Sequence, residues 1–183
     1  MKERMLRGEL YLADDPELIR ERARAQALLE RYNRTGDAEG EERDRLLREL
    51  LGKVGDGVVV KPTFRCDYGS QVSIGSGTFI NYDCVMLDVA PIRIGSACQI
   101  ATRVQLLAAT HPIDPQPRRR GWEYGRPITL GDNVWLGAGV IVCPGVTIGA
   151  DTVVGAGAVV TRNLPSSVVA FGTPAAVHRE IND

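Results

Sequence analysis

Residues 130–164 read LGDNVWLGAGVIVCPGVTIGADTVVGAGAVVTRNL. Broken into sixes from Leu130, the first positions are Leu130, Leu136, Val142, Ile148, Val154 and Val160. The second positions are Gly131, Gly137, Cys143, Gly149, Gly155 and Thr161. The fifth are Val134, Val140, Val146, Thr152, Ala158 and Leu164. The same period appears upstream, in Ile74, Ile80 and Met86 and then in Ile94, Ile100 and Leu106. A two-residue insertion around Val89–Pro91 shifts the register between those sets. A period of six belongs to neither an α-helix nor an alternating strand. It fits a chain that makes a short strand, bends, and repeats. The first position turns a branched aliphatic side chain inward. The small second position leaves room at the bend, where glycine is sterically cheap. Stacked coils then bury a continuous aliphatic ladder, as solenoids do.

Outside the repeat, residues 1 to about 52 read as helical. Asp15 is an N-cap candidate, with Pro16 at the first helical position. Leu18, Ile19, Ala25, Leu28, Leu29 and Tyr32 follow at helical spacing. A second helix is expected from about Glu41 to Leu51, with Glu41–Arg45 and Asp44–Arg48 as i,i+4 pairs. The organisation is therefore an N-terminal helical segment over 1–55 and a hexapeptide solenoid over 56–183. An external loop at about 112–127 and a C-terminal tail belong to the second part.

Composition narrows the function. The net charge is −1, and the longest like-charge run is Arg118–Arg120, so no basic face for nucleic acid is implied. No apolar stretch approaches the ~18 residues of a membrane span. The first residues lack the apolar core of a signal peptide, so a cytoplasmic location is expected. Aromatic residues are only 5%, against 20 glycines, which suits a thin repetitive core. Cys66, Cys84 and Cys98 fall on fifth positions and Cys143 on a second, so reduced structural thiols are expected.

Several segments carry a resemblance: GELYLADD, RYN, PTFRCDYGS, DCVMLDVAPIRIG, ATHPIDP, GRPITLGDNVWLGAGVIVCPGVTIG, GAVVTRNLP and GTPA. Together they resemble maltose O-acetyltransferase and its galactoside-acetylating relatives, within the hexapeptide-repeat acyltransferases. The resemblance implies a mainly β fold, a left-handed parallel β-helix with a short N-terminal α-helical segment. The general rule for parallel crossovers would have given a right hand. It further implies a homotrimer with active sites between subunits, acetyl-CoA as co-substrate along the coils, no metal, and a sugar acceptor. Residue by residue, His111 matches the catalytic histidine and Asn81 the asparagine facing the reacting groups. Asp67, Phe79 and Asp88 match acceptor-side positions, and Asp14 or Asp15 the N-terminal acidic contact. Ala138, Ala156, Thr161, Arg162 and Arg179 match positions that contact CoA. Two departures stand out. Pro174-Ala175-Ala176 replaces the relatives' Pro-x-Arg, with Arg179 or Arg118–Arg120 as substitutes, and Thr102-Arg103 replaces Pro-Gly.

The residues themselves support acyl transfer. His111 closes the hexad that begins at Leu106, where a long non-repeating stretch leaves the solenoid. A neutral imidazole there can accept a hydroxyl proton. Asn81 or a backbone N–H can donate to the oxyanion, although Asn81 also suits a turn that caps its own backbone. Asp67 and Asp88 suit sugar hydroxyls or ordinary bends. Glu123 can orient His111. Trp135 falls in an outward slot that suits subunit contact or CoA stacking, and Trp122 can line the cleft. Three rivals remain: a zinc hydrolyase, which needs about three histidines where the chain has His111 and His178; a non-catalytic scaffold; and an acetyltransferase acting on an antibiotic or serine.

Overall fold

The computed structural model describes residues 1–36 and 38–181. From Lys53 onward the chain winds into a left-handed parallel β-helix with three flat faces. The first face stacks Lys53–Val54, Val72–Ile74, Ile92–Ile94, Ile128–Leu130 and Thr147–Ile148. The second stacks Val59–Val60, Phe79–Ile80, Gln99–Ile100, Trp135–Leu136 and Val153–Val154, then the hairpin Val168–Gly172 and Ala175–Glu180. The third stacks Phe64–Cys66, Cys84–Leu87, Gln105–Leu107, Ile141–Val142 and Val159–Val160. In the regular coils Thr129 pairs with Thr147, Trp135 with Val153 and Ile141 with Val159, a spacing of eighteen residues, or three hexads per turn. Every first and fifth position from Leu130 to Leu164 is buried, which is the expected ladder.

Two points of register differ from the sequence reading. Cys66 pairs with Met86 and so occupies a first position, not a fifth. A second two-residue insertion, between Cys66 and Ile74, had escaped the count. The small second position also has a different cause. Its glycines are needed for approach between coils, since a Cβ on Gly75 would meet the Gly95 carbonyl carbon at 2.5 Å and one on Gly131 the Ala150 nitrogen at 2.5 Å. Left-handed backbone falls instead on the fourth position, at Gly77, Asp83, Ala97, Arg103, Asn133, Gly139, Asp151 and Gly157 among others. Two glycines two residues apart therefore predict opposite outcomes. Gly75→Ala should cost about 1–3 kcal/mol, because backbone of the next coil cannot yield. Gly77→Asn has φ +69° and open space around it, and should cost under ~1 kcal/mol because asparagine visits this region. Urea-unfolding midpoints check the pair, and equal losses would refute the assignment.

Helices α1 (Lys2–Leu6), α2 (Pro16–Asn33) and α3 (Gly40–Leu50) precede the coils. Asp15 caps α2 as expected, accepting the Glu17 N–H at 3.0 Å. Asp44–Arg48 forms at 2.8 Å, while Arg45 pairs with Glu42 and Glu49 rather than Glu41. Leu28, Leu29, Tyr32, Leu46, Leu47 and Leu50 share one core with the first coil. The Tyr32 hydroxyl donates to the Val60 carbonyl at 2.6 Å, and Asn33 exchanges two hydrogen bonds with the Phe64 backbone. The helices thus close the open end of the aliphatic ladder, as solenoid ends require.

Candidate active site

The corner between the third and first faces is where the repeat is broken, three times in succession. Residues inserted after Cys66, after Leu87 and after Leu107 all leave the solenoid here and lie over one another. Asp88 ties the first two together. It is fully buried, and its Oδ1 accepts the N–H groups of Asp67 at 3.0 Å and Tyr68 at 2.9 Å, while Oδ2 accepts that of Gln71 at 3.2 Å. The Asp88 carboxylate thus ties the two insertions together through their backbone and shapes the wall of this corner.

The third insertion is the external loop, and it is structured. Ala109–Thr110 pairs antiparallel with Trp122–Gly125, which pairs in turn with Tyr11–Leu12 from the N-terminal segment. Between them lies helix α4 (Pro115–Arg119), capped by Asp114. Arg118 donates to the carbonyls of Pro112 at 2.9 Å and Ile113 at 2.7 Å, which fixes the turn that follows His111. Tyr11 is fully buried, and its hydroxyl donates to the Glu123 carboxylate.

These pieces enclose a cavity of about 240 Å³ lined by Arg22, Asp67, Tyr68, His111 and Glu123, with Ala13, Leu87, Val89 and Ala109 as its apolar wall. His111 is exposed at its rim. Burial pushes the Asp67 carboxyl up to about 6, helped by the carboxylates of Asp88 and Glu123 and opposed by the Arg22 guanidinium. Arg22, Tyr68 and Tyr11 escaped the sequence reading. Arg22 lies on α2 in the buried stripe of Leu18, Ala25 and Leu29, and a charged residue on a buried stripe was the available signal. Asp15 caps α2 and lies 3.4 Å from the terminal ammonium. Asp14 is exposed.

The other candidate residues sit at the corner between the second and third faces. Phe79 and Asn81 line a shallow cavity of about 190 Å³ with Gln99, Ala101 and Trp135. Beside it, Tyr82, Asp83, Thr102, Arg103, Ala138 and Gly139 line an open groove of about 540 Å³. The Asn81 Oδ1 accepts the Tyr82 N–H at 2.9 Å, the turn role foreseen as its alternative. Its Nδ2 has no partner among the described residues. Ala156 continues the column under Ala138, with the Gly157 N–H donating to the Ala138 carbonyl at 2.8 Å. Thr161 and Arg162, by contrast, are exposed below the histidine corner, and Arg179 is on the final strand opposite Val169. The candidate residues therefore fall on two corners of the chain, with His111, Asp67 and Glu123 on one and Asn81, Phe79, Ala138 and Ala156 on another.

Comparison with known proteins agrees with this architecture. Residues 4–55 match the maltose acetyltransferase hexapeptide capping motif, and residues 127–162 match the bacterial transferase hexapeptide family over six repeats. A maltose O-acetyltransferase of known structure from Clostridium difficile 630 is 46% identical, with a TM-score of 0.98 over 100% of this chain and 97% of that one. The chain belongs to the maltose and galactoside O-acetyltransferase family. A second solved member, a galactoside acetyltransferase in complex with coenzyme A, is 38% identical with a TM-score of 0.97, covering 100% of this chain and 92% of that one. Nodulation protein L of Rhizobium meliloti (strain 1021) is 48% identical over 96% of both chains. In this maltose and galactoside O-acetyltransferase family member no described helix is long and apolar enough to cross a membrane.

Proposed function

We propose that this chain transfers the acetyl group of acetyl-CoA directly to a hydroxyl of a sugar held in the histidine-corner cavity, with His111 as general base. The observation that carries the reading is the rim position of His111 over a cavity lined by Asp67, Glu123 and Arg22. Carboxylates and a guanidinium are the groups that grip sugar hydroxyls. The coenzyme assignment is supported by the family member solved with coenzyme A.

In the reaction His111 takes the hydroxyl proton as the sugar oxygen attacks the thioester carbonyl. The C–O bond forms, the C–S bond breaks, and the imidazolium returns the proton to the departing thiolate. No covalent enzyme intermediate is required. Burial raises all four thiols, Cys84 to about 11, so none supplies a thiolate for one. The Asn81 Nδ2 donates to the oxyanion, supplied by a neighbouring copy of the chain. The outward columns support such an assembly. The first face presents Lys53, Ser73, Arg93, Thr129 and Thr147, all polar, while the second presents Val59, Phe79, Gln99, Trp135 and Val153, apolar but for Gln99. Trp135 is 54% exposed in the single chain. A homotrimer covers this column and sets one subunit's Asn81 corner against the next subunit's His111 corner. Ala138 and Ala156 leave a low wall for pantetheine, and Thr161, Arg162 and Arg179 bind the phosphates.

Incubation with acetyl-CoA and an acceptor panel, read by release of the CoA thiol, tests the function. Release is expected with glucose, glucosamine, maltose or galactosides, and not with chloramphenicol or serine. Release confined to the last two, or with no acceptor, would overturn it.

A further inference from the structure

The tip of the external loop is built to hold an apolar side chain out in water. Ile113 is 93% exposed, more than any other large hydrophobic residue described. It belongs to neither hydrophobic core. Its backbone is nevertheless fixed. The Arg118 guanidinium donates to the Pro112 carbonyl at 2.9 Å and to the Ile113 carbonyl at 2.7 Å. Asp114 caps the helix that follows, and paired strands tie down both ends of the loop. A single exposed aliphatic on a surface is ordinary. One that a clamped loop holds clear of its own chain is pre-organised for a partner surface.

The same chain carries a matching recess. On the second face Phe79 pairs with Gln99, and Gln99 with Trp135, so the three stand in one outward column. Neighbouring strands lie ~4.8 Å apart, which separates Phe79 from Trp135 by about 10 Å. The two aromatic residues and Gln99 line the cavity of about 190 Å³ that also holds Asn81. Trp135 is among the most exposed apolar residues of the chain.

Spacing brings knob and recess together. Ile113 follows His111 by two residues, and Phe79 precedes Asn81 by two, a reach of at most ~7 Å in each case. A contact that sets His111 of one copy opposite Asn81 of another therefore carries Ile113 to the aromatic column. The first face offers no such recess, because its outward column is polar throughout.

We propose that Ile113 of one copy inserts between Phe79 and Trp135 of the next copy, over Gln99, and is a positioning residue that sets His111 against the next copy's Asn81. The proposal rests on the shared-site reading above. The exposed Arg119 and Arg120 stay at the rim of this contact, where interfaces keep their charges.

Sedimentation over a dilution series tests the contact. Ile113→Asp removes nothing from either core, and it should assemble only at concentrations at least ~10-fold higher than the unaltered chain. Its activity per chain should climb back toward the unaltered level as concentration rises, a recovery that a local defect at His111 would not show. Ile113→Cys combined with Gln99→Cys should oxidise to covalently linked copies, and neither single variant should. Ile113→Asp chains that assemble as tightly as unaltered ones overturn the proposal. So does a double-cysteine variant that links no more than the single ones, or an unaltered chain that sediments as a monomer. Acetyl transfer is read separately, by release of the CoA thiol. Its failure in the unaltered chain removes the acetyl-transfer reading, while sedimentation and cross-linking still decide the contact.

Discussion

Replacing His111 with alanine lowers kcat by at least ~10²-fold and leaves acetyl-CoA affinity unchanged. The split follows from position. The imidazole is on the acceptor side, at the rim of the cavity that holds Asp67 and Glu123, whereas the alanine column assigned to pantetheine is on another corner. Removing the ring takes away a proton acceptor used only as the hydroxyl attacks, which is a transition-state loss rather than a binding loss. Steady-state kinetics together with calorimetric titration of acetyl-CoA separate the two. Turnover near that of the unaltered enzyme would end the general-base assignment. A loss confined to coenzyme affinity would reassign His111 to the donor side.

A mixed oligomer gives the second large effect. Asn81→Ala alone should cost about 10²–10³ in kcat, the range for one oxyanion donor. Co-expressed with the His111→Ala chain, it should recover activity that neither variant shows. In the proposed trimer each shared site draws its histidine from one subunit and its asparagine from the next. Each of the two is intact with a chance of one half, so about a quarter of the sites are whole in an even mixture. The reasoning depends on the corners. Asn81 follows the second-face strand Phe79–Ile80, and His111 follows the third-face strand Gln105–Leu107. If both acted within one chain, mixing would restore nothing, and activity in the co-expressed sample would be the mean of the two single variants.

The sequence period carried most of the fold. A first-position ladder from Leu130 to Val160 needs no tertiary information, because burial repeats with the coil. The corner conformation was less visible. The fourth position accepts Asp83, Ala97, Arg103, Asn133 and Asp151 as well as glycine, so no residue type marks it. The misplaced Cys66 was recoverable in principle: it precedes Ile74 by eight residues, as Met86 precedes Ile94. Asp88 illustrates a harder limit. A carboxylate is legible, but three backbone N–H groups converging on it from seventeen to twenty-one residues away are not. Assigning His111 and Asn81 to different corners likewise requires the number of hexads per turn, which the period alone does not carry.

The antiparallel clasp of Tyr11–Leu12 on Trp122–Gly125 joins residues separated by 112 positions. Neighbouring coils pair across much shorter spans, so loop-closure entropy orders their formation ahead of the clasp. The strand that emerges early from the ribosome thus waits for a partner made much later, and the external loop is locked only when that partner arrives. Acetyl-CoA turnover in this architecture doubles as a report that synthesis and assembly have run to their finish.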